Sequence, residues 1–457
     1  MTRIGFCEGP TLEALASDLA AGRTTSRQLV EEALARIADS TGEGGRSFTR
    51  VYAEAARAVA EAQDRLRAVG IVASPLAGIP ISIKDLFDVA GEPTTAGSIA
   101  LRDAPPAAAD APVVARLRAA GAVIIGKTNM TEFAYSGVGI NPHYGTPGNP
   151  FDRARVPGGS SSGAAVSVAD GCAAAAIGSD TGGSVRIPAA LCGLVGFKPT
   201  QARVPREGTV PLSTTLDSIG PLARSVADCA LVDAVLAGEP PVVPEAMAPA
   251  VLRLAVPQTH MLDGLEPQVA DAFARACSAL SAAGARIAEL PLRELGELPS
   301  LNREGGFAAV EAYRWHAPLL ARRRSDYDPR VGDRILRGRA VTAAHYLEIQ
   351  ERRAQLIAAV ARAMRGFDAM VLPTVPITAP PIAAFGEDSE YARLNLLLLR
   401  NTTVINQLDG CAVTIPIERR GEAPVGLMLA GLGGSDKAIL AMARGVEGAL
   451  RGMRARG

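Results

Sequence analysis

Two serines sit in loops of very small residues, Ser160 in RVPGGSSSGAA and Ser184 in GSDTGGSVRIPAA, 24 positions apart. A lysine, Lys84 in GIPISIKDLFD, precedes both. A serine hydroxyl is a weak nucleophile until a base removes its proton. Histidine is the usual base, but His143, His260, His316 and His345 all lie outside the two serine loops. A lysine does the same work once burial or a neighbouring cation drives its ammonium to the neutral amine. Serine–lysine pairs are an accepted variant of the hydrolytic triad. The chemistry these residues could perform together is acyl transfer.

Gly182 and Gly183 stand directly before Ser184. Glycines admit positive φ and let successive N–H groups approach a substrate. Such donors, aimed at a developing oxyanion, are often the largest catalytic contribution. Taken alone, the same pair also reads as a tight turn leading to a short helix near Pro188. GGSSSG contains a literal GxSxG match centred on Ser161. That motif needs a strand directly before it and an acid and histidine after it. The residues before it, NPFDRARVPGG, form a polar loop instead, so the match reads as accidental. Asp180 and Arg186 flank Ser184 at −4 and +2 and are expected to pair and hold the loop's shape, since either charge buried alone is costly. A substrate-carboxylate role for Arg186 is the weaker alternative. Ser225 and Asp228 read as a helix cap.

The elements that must position these residues follow from periodicity. Residues 11–65 read as helices: Leu12, Leu15 and Leu19 form one apolar stripe, and Thr25 with Gln28 makes a capping-box pattern before Val30, Leu34 and Ile37. From about residue 70, short apolar runs alternate with helices. Ile79, Ile81 and Ile83 alternate with Ser82 and Lys84, which predicts a strand with the lysine on the face opposite the isoleucines. Further strands are expected at 123–125, 173–177, 194–197, 252–256, 371–372, 412–417 and 425–429. This alternation argues for an α/β fold with a large, mostly parallel or mixed sheet. A Pro-rich stretch at 239–249 marks a composition break, and 300–365 is charged and helical. The expected organisation is one domain over 1–457. Within it lie a helical part (1–65), a core (66–238), a helical elaboration (250–365) and strands that complete the sheet (366–457).

Composition narrows the partners. Lys+Arg and Asp+Glu number 47 each, so no basic excess points to nucleic acid or an anionic membrane. The six cysteines (Cys7, Cys172, Cys192, Cys229, Cys277, Cys411) are scattered without CxxC. That pattern fits a reduced cytoplasmic protein better than a disulfide framework or a zinc site. MTRIGFCEGP has no apolar core of a secretory signal. No uncharged apolar run reaches the roughly 18 residues of a membrane span. A soluble, cytoplasmic protein is expected.

The chain resembles the amidase signature family. The likeness is carried by GIPISIKDLFDVAG, GAVIIGKTNMTEFAYSG, NPHYGTPGNPFDRARVPGGSSSG, GSDTGGSVRIPAALCGLVGFKPTQ and LDSIGPLARSVAD, and continues weakly through FDAMVLPTVPITAPPI and PVGLMLAG. The resemblance implies a single large α/β domain whose mixed, mostly parallel sheet is covered by helices on both faces. It implies a Ser–cisSer–Lys triad: Ser184 as nucleophile, Ser160 as the bridging serine after a cis peptide bond, and Lys84 as base. It also implies oxyanion donors on the backbone N–H groups of Thr181, Gly182, Gly183 and Ser184, and no metal or organic cofactor. The implied partner is a small-molecule amide, and a homodimer is compatible with it.

Pocket walls vary within the family. Met130, Phe133 and Tyr135 of NMTEFAYSG are candidates, as are Tyr313, Trp315 and His316, with Tyr346 and Tyr391 in or near the same region. These aromatics read first as helix core; if they line the pocket, an aryl amide, anilide or aryl carbamate is favoured. The implied activity is hydrolysis of a small aryl or alkyl amide to acid and ammonia or amine, with carbamate or ester cleavage as alternatives using one apparatus. A further alternative is the A subunit of a glutamine-dependent tRNA amidotransferase. Against it, Arg400 falls near the acidic residue that grips glutamine's α-amino group there. A catalytically silent binding protein is the alternative from another class, opposed by all three triad positions being filled.

Overall fold

Runs of β-branched and small apolar residues bounded by glycine turns build the strands, and 3.6-residue stripes build the helices that cover them. The computed structural model describes residues 9–454. Cys7 and most of the segment read for a secretory signal lie outside the described residues. Eleven strands are present: β1 (Phe48–Val51), β2 (Pro80–Lys84), β3 (Val123–Thr128), β4 (Ala175–Asp180), β5 (Val195–Lys198), β6 (Ser218–Ala223), β7 (Arg253–Pro257), β8 (Arg286–Leu290), β9 (Ala369–Pro373), β10 (Cys411–Pro416) and β11 (Gly426–Gly431). They form one mixed sheet in the order β1-β3-β2-β4-β6-β5-β10-β11-β9-β7-β8. The chain is a single large domain. Parallel pairing is gathered in two blocks, β3-β2-β4 and β9-β7-β8, and the strands between and beside them pair antiparallel.

Both faces of the sheet are buried, so side chains alternate between two cores. Val413, Ile415, Leu427, Leu429 and Val371 join the core that includes Val226 and Cys229 of helix Val226–Ala237 and Ile439 and Ala443 of helix Asp436–Arg454. Ala412, Met428, Ala430, Met370 and Leu372 join the opposite core with Ile349, Leu356 and Val360 of helix Ala343–Ala363 and Ile405 of helix Asp388–Gln407. Helices thus flank both faces. The expected strands are all present within a few residues. Three strands had no usable signal: β1 is a four-residue edge inside the stretch read as helical, β6 carries Gly220 and Pro221, and β8 is largely exposed.

Local chemistry sets the termini of the elements. Thr25 caps helix Ser26–Ala38 with the reciprocal capping box expected. Ser225 Oγ accepts from the Asp228 amide at 3.0 Å at the start of helix Val226–Ala237. Cys172, Cys192, Cys229, Cys277 and Cys411 are free thiols. No helix among the described residues is long and apolar enough to cross a membrane.

Candidate active site

The site lies where parallel strands β2 and β4 end, the position open α/β sheets use for ligands because loops diverge there. Ile79, Ile81 and Ile83 face one core, as their alternation predicts. Ser82 and Lys84 face the other way, where helix Ser162–Ala169 buries them: Ser82 Oγ lies 2.9 Å from Ser167 Oγ. Lys84 is fully buried. Its Nζ donates to Ser160 Oγ at 2.7 Å and to Ser179 Oγ at 2.9 Å. Burial pulls the ammonium down to about 7, against the raising influence of the Asp180 and Asp217 carboxylates. A substantial neutral fraction therefore exists near neutral pH.

Ser160 sits just before helix Ser162–Ala169, and the Gly159–Ser160 peptide is cis. Ser184 follows β4 in the turn that opens helix Arg186–Leu191. The two serine loops touch, with the Ser161 amide donating to the Ser184 carbonyl at 3.2 Å. Ser161 itself is buried, and its hydroxyl donates to the Ser179 carbonyl at 3.4 Å. A coil precedes it, and three of the four histidine rings are engaged elsewhere: His143 meets Glu132, His316 meets Tyr327 and His345 meets Glu348. The GxSxG match lacks the strand it needs.

Asp180 and Arg186 pair as expected, both fully buried, at 2.9 Å. Burial alone would raise the Asp180 carboxyl, but Arg186 chiefly holds it at about 2. The carboxylate also accepts the amides of Gly183 (2.8 Å), Val185 (3.2 Å) and Arg186 (3.4 Å), and so folds the Ser184 loop around itself. The Arg186 guanidinium goes on to Asn406 Oδ1 (2.7 Å) and the Thr402 carbonyl (3.0 Å), which ties the loop to helix Asp388–Gln407. Arg186 is thereby committed to the protein interior, away from any substrate carboxylate. Gly183 adopts φ +132, and a Cβ there would lie 2.1 Å from Thr402 Oγ1. Of the four expected oxyanion donors, the Gly183 N–H is turned to Asp180. Thr181, Gly182 and Ser184 line an open cleft.

That cleft has a volume of about 330 Å³. Of the six aromatic-region candidates, only Tyr135 lines it. Met130, Phe133 and His316 are buried core, with Phe133 and His316 stacked edge-on, ring centres 4.4 Å apart. Tyr313 packs against the core, and Trp315 lines a neighbouring cavity. Of the two nearby tyrosines, Tyr391 is buried and Tyr346 hydrogen-bonds Glu311. Most of these rings serve helix packing, and Tyr135 is the one among them that lines the cleft.

Several residues of the site carry no sequence motif that announces them. Ser179, next to Asp180, is the second partner of Lys84. Asp217, inside the quoted LDSIGPLARSVAD, accepts from Thr181 Oγ1 at 2.5 Å and from the Leu212 and Ser213 amides at 3.0 Å. Burial pushes its carboxyl up to about 6 despite those bonds. Arg334, Arg337 and Arg400 line the cleft beside Leu216, Leu298 and Leu399. Arg334 and Arg337 have no carboxylate partner among the described residues, whereas the Arg400 guanidinium donates to the Asp263 carbonyl at 2.6 Å, the Met261 carbonyl at 3.3 Å and Asn401 Oδ1 at 3.2 Å, with the Asp263 charge acting on it. Arg334 donates to the Tyr135 carbonyl, with its guanidinium 5.9 Å from the Tyr135 ring centre. Gln407 adds a buried carbonyl oxygen without a hydrogen-bond partner among the described residues. Arg400, which the sequence set near the glutamine-gripping acid of the amidotransferase A subunit, does line the cleft, whereas nothing distinguishes Arg334 and Arg337 in sequence from the other arginines of their region.

The family model described as Amidase matches residues 28–440. The chain is 39% identical over 398 residues to a 2-amino-5-chloromuconic acid deaminase of Comamonas testosteroni, covering 86% of each. It is 37% identical to the A subunit of the glutamyl-tRNA(Gln) amidotransferase of Roseiflexus sp. (strain RS-1), covering 94% of each. A solved amidase superposes with a TM-score of 0.87 at 35% identity, over 96% of this chain and all of that one.

Proposed function

The chain belongs to the amidase family, and on that footing we propose that it hydrolyses a small amide whose acyl half carries a carboxylate, through an acyl-enzyme on Ser184. The observation that carries the reading is the buried Lys84 amine, 2.7 Å from Ser160 Oγ and titrating near 7. Uncharged, it accepts the Ser160 proton as Ser160 accepts that of Ser184. Ser184 Oγ attacks the amide carbon, and the oxyanion forms beside the N–H groups of Thr181, Gly182 and Ser184. The relay then returns the proton to the nitrogen as the C–N bond breaks. Water repeats the sequence on the ester and releases the acid.

Two arginines without carboxylate partners among the described residues, Arg334 and Arg337, line one cleft and support the anionic substrate. Guanidinium is suited to carboxylate because its donors form a planar fork. The Gln407 carbonyl supplies an acceptor for a substrate N–H. The chloromuconic acid named for one relative is itself a carboxylic acid.

The test is a panel of monoamides of short dicarboxylic acids, with matched neutral amides, incubated with the purified chain. Ammonia release from the anionic members, lost in Ser184→Ala and Lys84→Met, is the expected result. Equal turnover of neutral and anionic amides would remove the carboxylate specificity. A second reading follows from the amidotransferase relative, matched over 94% of both chains. Glutaminase activity that appears only once partner proteins are added would favour it.

A further inference from the structure

No step of the acyl transfer uses the carboxylate of Glu132, yet it is fully buried, in the turn Glu132–Ala134. A carboxylate taken out of water is costly unless hydrogen bonds replace the lost solvent. Its Oε1 accepts from Ser98 Oγ at 2.7 Å and lies 2.8 Å from His143 Nε2, its one basic partner among the described residues. Its Oε2 accepts the backbone N–H of Asp328 at 2.7 Å, across 196 positions of chain. Asp328 is the N-cap of helix Pro329–Arg337, which carries Arg334 and Arg337. The other end of that helix returns to the same loop, where Arg334 donates to the Tyr135 carbonyl.

The loop that contains Glu132 touches both halves of the site. The Thr131 amide donates to the Ser160 carbonyl at 3.0 Å, and Ala134, Tyr135 and Ser136 line the cleft. Phe133 and Ala134 take φ of 49 and 58, left-handed values that are unfavourable for any residue with a Cβ. Such a turn persists only where surrounding contacts impose it. Those contacts run to the segment that leads into the arginine helix: the Phe133 ring centre lies 5.0 Å from that of Tyr327, and Glu132 holds the next residue, Asp328. Val331 and Ile335 anchor the helix in the core, but apolar packing has no preferred direction and tolerates a small slide or rotation. A hydrogen bond is directional and fixes the first turn. We propose that Glu132 is a positioning residue for substrate choice: it locks the turn beside Ser160 to the helix that presents Arg334 and Arg337, and so sets where a substrate carboxylate binds relative to the reacting carbonyl. This rests on the anionic-substrate reading above.

The experiment compares the anionic monoamide that is turned over fastest with its matched neutral amide, read as a ratio of kcat/KM. Glu132→Ala is expected to lower that ratio at least fivefold, chiefly through a higher KM for the anionic amide. A smaller folded fraction reduces both turnovers alike and leaves the ratio untouched. In an Arg334→Ala/Arg337→Ala background the same change is expected to move the ratio less than twofold, because the groups it positions are gone. Asp328→Pro tests the bond from its other end. Asp328 has φ −54, within the range of proline, and Tyr327 before it is extended, so the substitution fits the backbone while deleting the N–H that Glu132 accepts. It is expected to lower the ratio at least fivefold, whereas Asp328→Ala, which loses the same side-chain cap but keeps the N–H, holds it within twofold. Where circular dichroism shows that Glu132→Ala misfolds, the two Asp328 variants decide. A ratio unmoved in folded Glu132→Ala or Asp328→Pro, an equal loss in both Asp328 variants, or a further loss in the arginine-free background overturns this inference and leaves the proposed function intact. A parent that turns over neutral and anionic amides equally overturns the anionic reading, and this inference falls with it.

Discussion

At the scale of single residues, the behaviour of the site turns on one amine. Lys84 titrates near 7 because it is buried, so kcat/KM is expected to rise with pH and level off above about 7. Asp217 raises that value through its charge, and its removal lowers it. Asp217→Asn is therefore expected to move the acid limb to lower pH, while the loss of the Thr181 anchor lowers the plateau; an unmoved limb would refute the electrostatic link. The same burial predicts a stability effect. Keeping Lys84 neutral in the fold favours the unfolded chain, and the penalty grows as pH falls from the ordinary lysine value of 10.5 toward 7. Lys84→Met is expected to melt above the parent by a margin that widens over that window, and to lose turnover. Arg337 lines the cleft without a carboxylate partner among the described residues, so Arg337→Ala is expected to reduce the preference for anionic over neutral amides about tenfold, read as a ratio of kcat/KM.

At the scale of elements, the Ser184 loop is held in shape from both sides. Asp180 organises it from within through three backbone amides, and helix Asp388–Gln407 clamps it from outside, with Thr402 Oγ1 donating to the Gly182 carbonyl at 2.6 Å. Gly183→Ala places a Cβ against Thr402 at a φ that only glycine adopts readily. Its kcat is expected to fall at least a hundredfold with circular dichroism unchanged, and retained activity would show that the loop tolerates another shape. Removing one partner of the Arg186–Asp180 pair leaves a buried charge, so Arg186→Met is expected to cost about 3–5 kcal/mol in denaturant unfolding. In the parent, the contribution of Asp180 is full above the ordinary aspartate value of 3.8 and is lost as pH falls toward about 2.

At the scale of the whole molecule, the helical elaboration does more than cover the sheet. Glu311 of helix Gly306–Arg323 accepts from Ser213 Oγ at 2.5 Å, the Thr215 amide at 3.0 Å and Tyr346 OH at 2.6 Å. Asp217 belongs to the same 212–217 segment, so one chain of hydrogen bonds runs from helix Ala343–Ala363 to Thr181 in the loop that carries Ser184. Glu311→Gln exchanges one acceptor oxygen for a donor amide. Faster hydrogen exchange of residues 212–217 and a lower kcat are expected, and unchanged exchange would separate the helices from the site.

The sequence by itself determined the parts whose chemistry is local. The glycines of GSDTGGS, the Ile79–Lys84 alternation and the Asp180–Arg186 spacing specify a turn, a strand and an ion pair from neighbours only a few positions apart, so these elements and the α/β class were legible, while the roles of Ser184, Ser160 and Lys84 came from the family resemblance. The tertiary structure alone decided what depends on distant chain segments. Burial under helix Ser162–Ala169 lowers the lysine, Asp217 and Glu311 fasten the loop across many intervening residues, and three arginines from two separate helices meet in one cleft. Desolvation and charge act through space, and a linear pattern carries no record of which surfaces fold together.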